Sequence, residues 1–352
     1  MRRALVVTLL LLLLVAACTG SDVPASAPSP TATSASERAQ LSPSPTGTST
    51  STPTPSVSEP APHPVSLPAL FDEEYDGRVL RLRRVLLRTD SYTQHAVTYR
   101  GDGLTVSGTL HLPRGRGPFP VLVLAHGYID PAVYQTGQGL RREQDWLARA
   151  GYAVLHVDFR NHAGSDGDPR AGEELRLGYT VDVINAVHAV RRSEIRRLDG
   201  DRVGLLGRSM GGGVVYNVLT VAPGLVEAAV VFAPVSSRAA DNFNRWIRND
   251  PGRSGLSRRI IRAYGAPERN RRFWREVSPR TYFDRVTEPV LIHHGTADAS
   301  CPIRWSRQTR RAMRAAGVDV SMFVYPGEPH AFVDAWPTSM QRTVRFFERH
   351  LS

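Results

Sequence analysis

Gly207-Arg208-Ser209-Met210-Gly211 constrains this chain more than any other stretch, because its context fixes its meaning. Before it runs Arg202-Val203-Gly204-Leu205-Leu206, a short apolar segment of buried-strand type. After it, Gly212-Gly213-Val214-Val215-Tyr216-Asn217-Val218-Leu219 can begin a helix. A serine on a tight turn between strand and helix is the setting of a nucleophile elbow. The flanking glycines fit that reading, since the turn is strained and the two backbones approach closely. The alternative is an ordinary Gly-rich turn with a solvated serine.

A serine hydroxyl is a weak nucleophile at neutral pH and needs a base, itself oriented by a third group. On a strand–turn–helix scaffold the partners follow in the order Ser, Asp or Glu, His. Pro289-Val290-Leu291-Ile292-His293-His294-Gly295 reads as a buried strand entering a loop that carries Asp298. Val320-Ser321-Met322-Phe323-Val324-Tyr325 reads as the next strand, and the loop after it presents His330. Three strand-end loops thus deliver Ser209, Asp298 and His330 in the expected order.

These residues give the chain a resemblance to the α/β-hydrolase superfamily. Within it, the chain resembles the catalytic domains of prolyl-oligopeptidase-like (S9) serine peptidases and dienelactone-hydrolase-like esterases. The resemblance rests on Ala125-His126-Gly127-Tyr128, Asp158-Phe159-Arg160-Asn161-His162, Gly207-Arg208-Ser209-Met210-Gly211-Gly212, His294-Gly295-Thr296-Ala297-Asp298 and Gly327-Glu328-Pro329-His330. It covers residues 92–352. Dienelactone hydrolases typically carry cysteine where Ser209 stands. S9 peptidases usually carry a large β-propeller where only residues 67–91 stand here.

An oxyanion hole needs two donors where the tetrahedral oxygen develops. The backbone N–H of Met210, next after the nucleophile, is the first. The second belongs to the loop after the strand at 121–125, namely His126-Gly127-Tyr128. The resemblance implies the Tyr128 backbone N–H, with the tyrosine hydroxyl as the alternative used by some S9-like enzymes. His126 reads as a structural histidine bonded to nearby backbone.

The N-terminus predicts export. Arg2-Arg3 precede a nearly unbroken apolar run from Ala4 to Val15, too short to span a bilayer comfortably, which is the form of a signal peptide over residues 1–17. Val15-Ala16-Ala17-Cys18 resembles a bacterial lipobox, with Cys18 acylated and anchoring the protein to the outer face of the cell membrane. The alternative is a secreted protein cut after Ala17 without lipid. Residues 18–66 are Ser, Thr, Pro and Ala with few large apolar side chains. Such a segment cannot bury enough surface to offset its ordering entropy, so a disordered tether is expected.

Residues 67–352 are long enough for one domain with a large core. Strands are expected near 94–99, 105–112, 121–125, 153–158, 202–206, 227–233, 289–295 and 320–325. Helices are expected near 140–150, 175–192, 212–221, 303–316 and 339–350. The alternation predicts an α/β fold with a mostly parallel central sheet and helices on both faces, and the resemblance implies that it is of the α/β-hydrolase type.

The interval 236–285 interrupts that alternation at the place where this fold often inserts helices over the active site. We read it as a helical lid; the alternative is a surface excursion. Phe243, Trp246, Phe273 and Trp274 are its candidates for an apolar substrate wall. From Arg238 to Arg285 it holds 13 Arg against 5 acidic residues, within a chain of net charge +11. No nucleic-acid-binding signature accompanies this charge, so no nucleic-acid partner is expected. Every basic residue outside histidine is Arg and none is Lys, as a GC-rich genome would leave it. The functional alternative is a patch facing anionic lipid, cell-wall polymer or acidic substrate.

Only Cys18 and Cys301 are present. Cys301, close to Asp298 in sequence, reads as a small buried filler. His293 and His294 are adjacent on a strand and point to opposite faces, so no joint metal site is expected. No dinucleotide fingerprint stands out, and no cofactor is expected. The sequence therefore predicts an exported serine hydrolase that cleaves a small acyl ester or peptide through an acyl-enzyme. The alternatives are an S9-type oligopeptide peptidase and a non-catalytic surface binding protein on a hydrolase scaffold.

Overall fold

The computed structural model describes residues 61–352. The expected signal peptide, Cys18 and all but the last residues of the expected tether lie outside them.

Among the described residues, nine strands form one sheet in the order β1-β2-β3-β5-β4-β6-β7-β8-β9. They are β1 (Arg78–Arg88), β2 (Tyr92–Gly101), β3 (Leu104–Pro113), β4 (Phe119–Ala125), β5 (Ala153–Val157), β6 (Leu198–Arg208), β7 (Ala228–Phe232), β8 (Val290–Gly295) and β9 (Val320–Tyr325). The first three pair antiparallel, and β3 meets β5 antiparallel. From β5 through β4 to β9 every pairing is parallel. A parallel strand needs a crossover to reach its neighbour. Here helices supply the crossovers, α1 (Arg141–Arg149), α2 (Leu177–Arg191), α3 (Met210–Val221) and α7 (Ile303–Ala315), and α8 (Trp336–His350) follows the last strand.

Burial on both faces explains why the inner strands read as unbroken apolar runs. Val121, Val123 and Ala125 of β4 join the core shared with α2 and α3. Leu122 and Leu124, on the opposite face, join Leu147 of α1 and Met340 and Phe347 of α8 in a second core. β1 was not expected from sequence. It lies at the sheet edge and is exposed along almost its whole length, so it lacks the buried alternation that announces a strand.

Residues just ahead of 67, where the domain was expected to start, also pack against it. Ser66 and Leu67 are fully buried, the His63 N–H donates to the Glu276 carboxylate at 3.0 Å, and the Leu67 N–H donates to the Glu276 carbonyl at 3.0 Å. Between β7 and β8 the chain is mainly helical. It forms α4 (Ala239–Phe243), a π-helical turn (Asn244–Arg248), α5 (Ser254–Tyr264), α6 (Arg271–Glu276) and short 3₁₀ turns at Pro251–Arg253 and Pro279–Arg285.

Candidate active site

Ser209 links β6 to α3 with φ 56° and ψ −118°, a conformation that a residue with a side chain seldom adopts. Backbone bonds hold it there. The Ser209 N–H donates to the Phe232 carbonyl at 3.0 Å, and its own carbonyl accepts from the Val235 N–H at 3.1 Å. The turn also demands close approach: a Cβ at Gly211 would lie 2.0 Å from the Ala125 carbonyl oxygen. Only glycine fits, so α3 can start directly behind the serine. Met210 is the first residue of α3, where a backbone N–H has no acceptor within its own helix.

Asp298 and His330 arrive from the loops after β8 and β9. Nδ1 of His330 lies 2.8 Å from Asp298 Oδ2. The aspartate side chain is wholly buried, whereas the histidine side chain is 26% exposed and accessible to a substrate. Asp298 Oδ1 accepts the N–H groups of Ser300 and Cys301, each at 2.8 Å. Burial alone would raise the Asp298 pKa. Hydrogen bonds from His294, His330 and the Cys301 N–H outweigh it and hold the carboxyl well below the usual carboxylate range.

Two further residues shape these loops. Nε2 of His294 sits 3.2 Å from Asp298 Oδ2, while its Nδ1 is 2.6 Å from the Ser306 hydroxyl. Glu328, nearly buried, accepts the backbone N–H groups of Val333 and Ala335, each at 2.6 Å, and so ties the chain that follows His330. Sequence reasoning weighed His294 only as a metal ligand and quoted Glu328 without a role. Their neighbours in sequence gave the signal: each lies within four positions of an expected site residue.

The loop after β4 passes beside the serine, where a Cβ at Gly127 would lie 3.2 Å from Ser209 Cβ. His126 holds this loop as expected. Its Nδ1 is 2.6 Å from the Gly127 carbonyl and its Nε2 3.3 Å from the Asp158 carbonyl. Burial pushes its pKa down to about 4, so the ring is neutral at pH 7. Tyr128 is 43% exposed. The Arg176 and Arg253 guanidiniums lie 4.9 Å and 4.7 Å from its ring centroid.

A cavity of about 350 Å³ opens over these groups, lined by Ser209, Met210, Tyr128 and His330. Phe243, Trp246 and Ile247 from the helical interval between β7 and β8 supply apolar wall. Phe273 and Trp274 do not. Both are almost fully buried; Trp274 packs against Phe243 at 4.8 Å and donates its indole N–H to the Gly265 carbonyl at 3.0 Å. Their expected place on the wall is corrected: they form the core behind Phe243. Aromatic identity within the interval cannot tell a wall residue from the one packed behind it.

Cys301 is fully buried, with its thiol pushed up to about 12 mainly by burial. Its Sγ lies 3.9 Å from Ser209 Oγ. A thiol held protonated is a filler beside the serine. His293 and His294 do diverge: Nδ1 of His293 lies 2.8 Å from the Tyr325 hydroxyl, and its Nε2 3.1 Å from Thr343 Oγ1. Among the described residues no group of three or more His, Cys, Asp or Glu is arranged to hold a metal ion.

The chain is similar to known proteins over the region that carries these residues. Dipeptidyl aminopeptidase BIII of Pseudoxanthomonas mexicana is 29% identical over 246 residues, which is 66% of this chain and 34% of that protein. The acylamino-acid-releasing enzyme of Rattus norvegicus is 28% identical over 216 residues, 58% of this chain and 28% of that protein. The chain thus spans about a third or less of the length of these relatives. Among solved structures, Pyrococcus horikoshii acylaminoacyl peptidase superposes with a TM-score of 0.60 at 21% identity, over 75% of this chain and 42% of that one. Acetyl xylan esterase 1 from Thermoanaerobacterium sp. JW/SL YS485 superposes with a TM-score of 0.56 at 16% identity, over 82% of this chain and 95% of that one. These likenesses establish the α/β-hydrolase fold. The model of the prolyl oligopeptidase family matches residues 138–352, which include β6, the elbow and both later loops, and the chain belongs to that family.

Proposed function

We propose that this chain is an exported serine hydrolase that cleaves an ester or small peptide bond through an acyl-enzyme. Ser209 Oγ attacks the carbonyl carbon, and His330 takes its proton. Asp298 holds the imidazole in the tautomer with Nδ1–H and stabilises the imidazolium. The backbone N–H groups of Met210 and Tyr128 receive the oxyanion. His330 then passes the proton to the leaving oxygen or nitrogen as its bond to the acyl carbon breaks. Water repeats the sequence and frees Ser209. The observation that carries this reading is the 2.8 Å contact of His330 with Asp298 at the edge of a cavity that Ser209 also lines.

The S9-type peptidase reading draws on the names of the relatives, which are aminopeptidases and acylamino-acid-releasing enzymes. The esterase reading draws on the likeness to acetyl xylan esterase 1, a structure the chain matches over nearly its full length. Export and a lipid anchor on Cys18 at the outer face of the membrane rest on the N-terminal sequence.

A fluorophosphonate probe tests the mechanism. It should label the wild type and not Ser209→Ala; a folded wild type that takes no label would leave a binding protein on a hydrolase scaffold. Rates on p-nitrophenyl acyl esters against aminoacyl and Pro-containing peptide substrates then separate esterase from peptidase.

A further inference from the structure

The charge lining the cavity is one-sided. Arg176 and Arg253 both line it, and no Asp or Glu does among the described residues. Arg176 caps the start of α2 with a left-handed backbone, φ 61°, and the residue before it is left-handed too, φ 53°. Both conformations cost energy in residues with side chains. The position is also poor for a cation. The N-terminus of a 15-residue helix carries partial positive charge, and α2 has no acidic residue in its first turn and no side-chain cap. Burial is the main cause that lowers the Arg176 pKa, and the Arg253 charge adds to it.

Arg176 is half-buried, and a partly desolvated guanidinium at a helix N-terminus is ordinarily matched by a carboxylate. Arg160 shows the ordinary solution in this same protein, paired with Asp102, Asp168 and Asp182. Arg176 has no ion pair among the described residues; its partners are the Tyr128 ring and Tyr179. Arg253 has a long 3.4 Å contact to Asp250, whose carboxylate is 42% exposed. Both guanidiniums face the ring of Tyr128, the residue that flanks the serine loop. Two cations and a helix N-terminus thus meet beside Tyr128 in the cavity that Ser209 lines, and no carboxylate lines that cavity among the described residues.

We infer that Arg176 and Arg253 form an anion subsite, and that the substrate carries a carboxylate which this pair holds while its ester or amide bond lies at Ser209. This deepens the serine-hydrolase reading above and rests on it. Bidentate guanidinium–carboxylate contacts in a half-buried cavity give both orientation and energy. The same pair disfavours a substrate with a free ammonium at that end, since like charges brought together in a low-dielectric cavity repel.

The test compares kcat/KM on two matched pairs of esters. Mono-p-nitrophenyl adipate against p-nitrophenyl hexanoate places the carboxylate on the acyl side. The hexanoyl ester of 4-hydroxybenzoate against phenyl hexanoate places it on the leaving group. We expect the charged member to be preferred in one pair and the preference to fall as salt is added. Arg176→Met should lower that preference about 10- to 100-fold, the value of a hydrogen bond to a charged group. Arg253→Met should lower it less, and Arg176→Lys should restore part of it. A wild type that hydrolyses the neutral esters and shows no charged preference in either pair overturns the inference, as does a preference that neither Met variant changes. If Arg176→Met fails to fold, the wild-type ratios, their salt dependence and Arg253→Met decide. Absence of both hydrolysis and fluorophosphonate labelling would instead reject the underlying serine-hydrolase reading.

Discussion

His294 and Asp298 meet at 3.2 Å, on the same carboxylate oxygen that lies 2.8 Å from His330. One acid thus sits between two imidazoles, one buried and one open to the cavity. Nε2 of His294 faces two acceptors, Asp298 Oδ2 and the Cys301 carbonyl at 2.8 Å, so Nε2 carries the proton. Its Nδ1 then accepts from the Ser306 hydroxyl. Asp298 receives four donors in all, from two histidines and two backbone N–H groups. That set explains how a buried carboxylate stays ionised.

His294 is therefore expected to act as a positioning residue. His294→Ala should lower kcat about 10- to 100-fold with little change in KM, since a hydrogen bond to a charged group contributes about 1.5–3 kcal/mol. His294→Gln, whose amide N–H reaches a similar place, should recover much of the loss. A folded His294→Ala enzyme with wild-type kcat would show that the contact does not matter to the reaction.

Loss of the acting groups should be far more severe. Ser209→Ala or His330→Ala should lower kcat by about 10⁴–10⁶ while the fold survives. Asp298→Asn should cost on the order of 10⁴, because the imidazole remains but loses its tautomer. Steady-state rates with circular dichroism on the same samples check this. Full activity in Asp298→Asn would send the search to another acid, Asp241 or Asp334.

Stability should fall on mild acidification. His111, His126 and His293 are buried, and burial is the first cause that pushes their pKa values down to about 4, about 4 and about 3. They are neutral in the fold, whereas the unfolded chain binds protons at these sites below about pH 6.5. Their contribution is complete above that pH and is lost as pH falls toward the folded values. Each histidine adds a slope of up to ~1.4 kcal/mol per pH unit in that window. Urea midpoints should therefore drop clearly between pH 7.5 and pH 5, and His111→Leu should flatten the drop. Equal midpoints at the two pH values would contradict the neutral burial of these rings.

The parallel half of the fold was legible because its inner strands are buried on both faces, its edge strand β9 is still mostly apolar in sequence, and its loops carry chemistry. Every strand from β4 to β9 left an apolar run, and Ser209, Asp298 and His330 each follow one. What stayed hidden has no local pattern. β1 is an exposed edge strand. The docking of His63 and Leu67 onto Glu276 joins residues far apart in sequence. Trp274 and Trp246 look alike as aromatic positions in one helical interval, and only packing assigns one to the core and the other to the cavity. Arg176 was hidden among many arginines; what marks it is the absence of an acid beside it, which sequence does not display.

Mutating those two tryptophans should separate their roles. Trp246 lines the cavity and meets Trp305 edge-on at 5.5 Å. Trp246→Ala should reorder the acyl chain lengths the enzyme prefers more than it changes the rate on acetyl esters. Trp274→Ala should instead destabilise the fold by about 3–5 kcal/mol, as deletion of a buried aromatic does. Chain-length profiles and thermal unfolding of both variants give the answer. The reverse pattern would return Trp274 to the substrate wall.

Tyr128 decides between the two oxyanion arrangements. Its ring lies close to the guanidiniums of Arg176 and Arg253. That engagement holds the side chain by its face, and the proposed donor is the backbone of the loop beside Ser209. Tyr128→Phe keeps the backbone N–H and the ring, so kcat on a neutral ester should change less than about threefold, against the 10²–10³ lost with a true oxyanion donor. Gly127→Ala probes the same loop from the other side. The added Cβ would lie 3.2 Å from Ser209 Cβ, tighter than an ordinary contact, and the loop or the serine has to give way. Activity should fall by at least 10-fold in Gly127→Ala, because oxyanion donors act only when aimed to within a few tenths of an ångström. A large loss in Tyr128→Phe with a normal Gly127→Ala would make the hydroxyl the donor and overturn the backbone assignment.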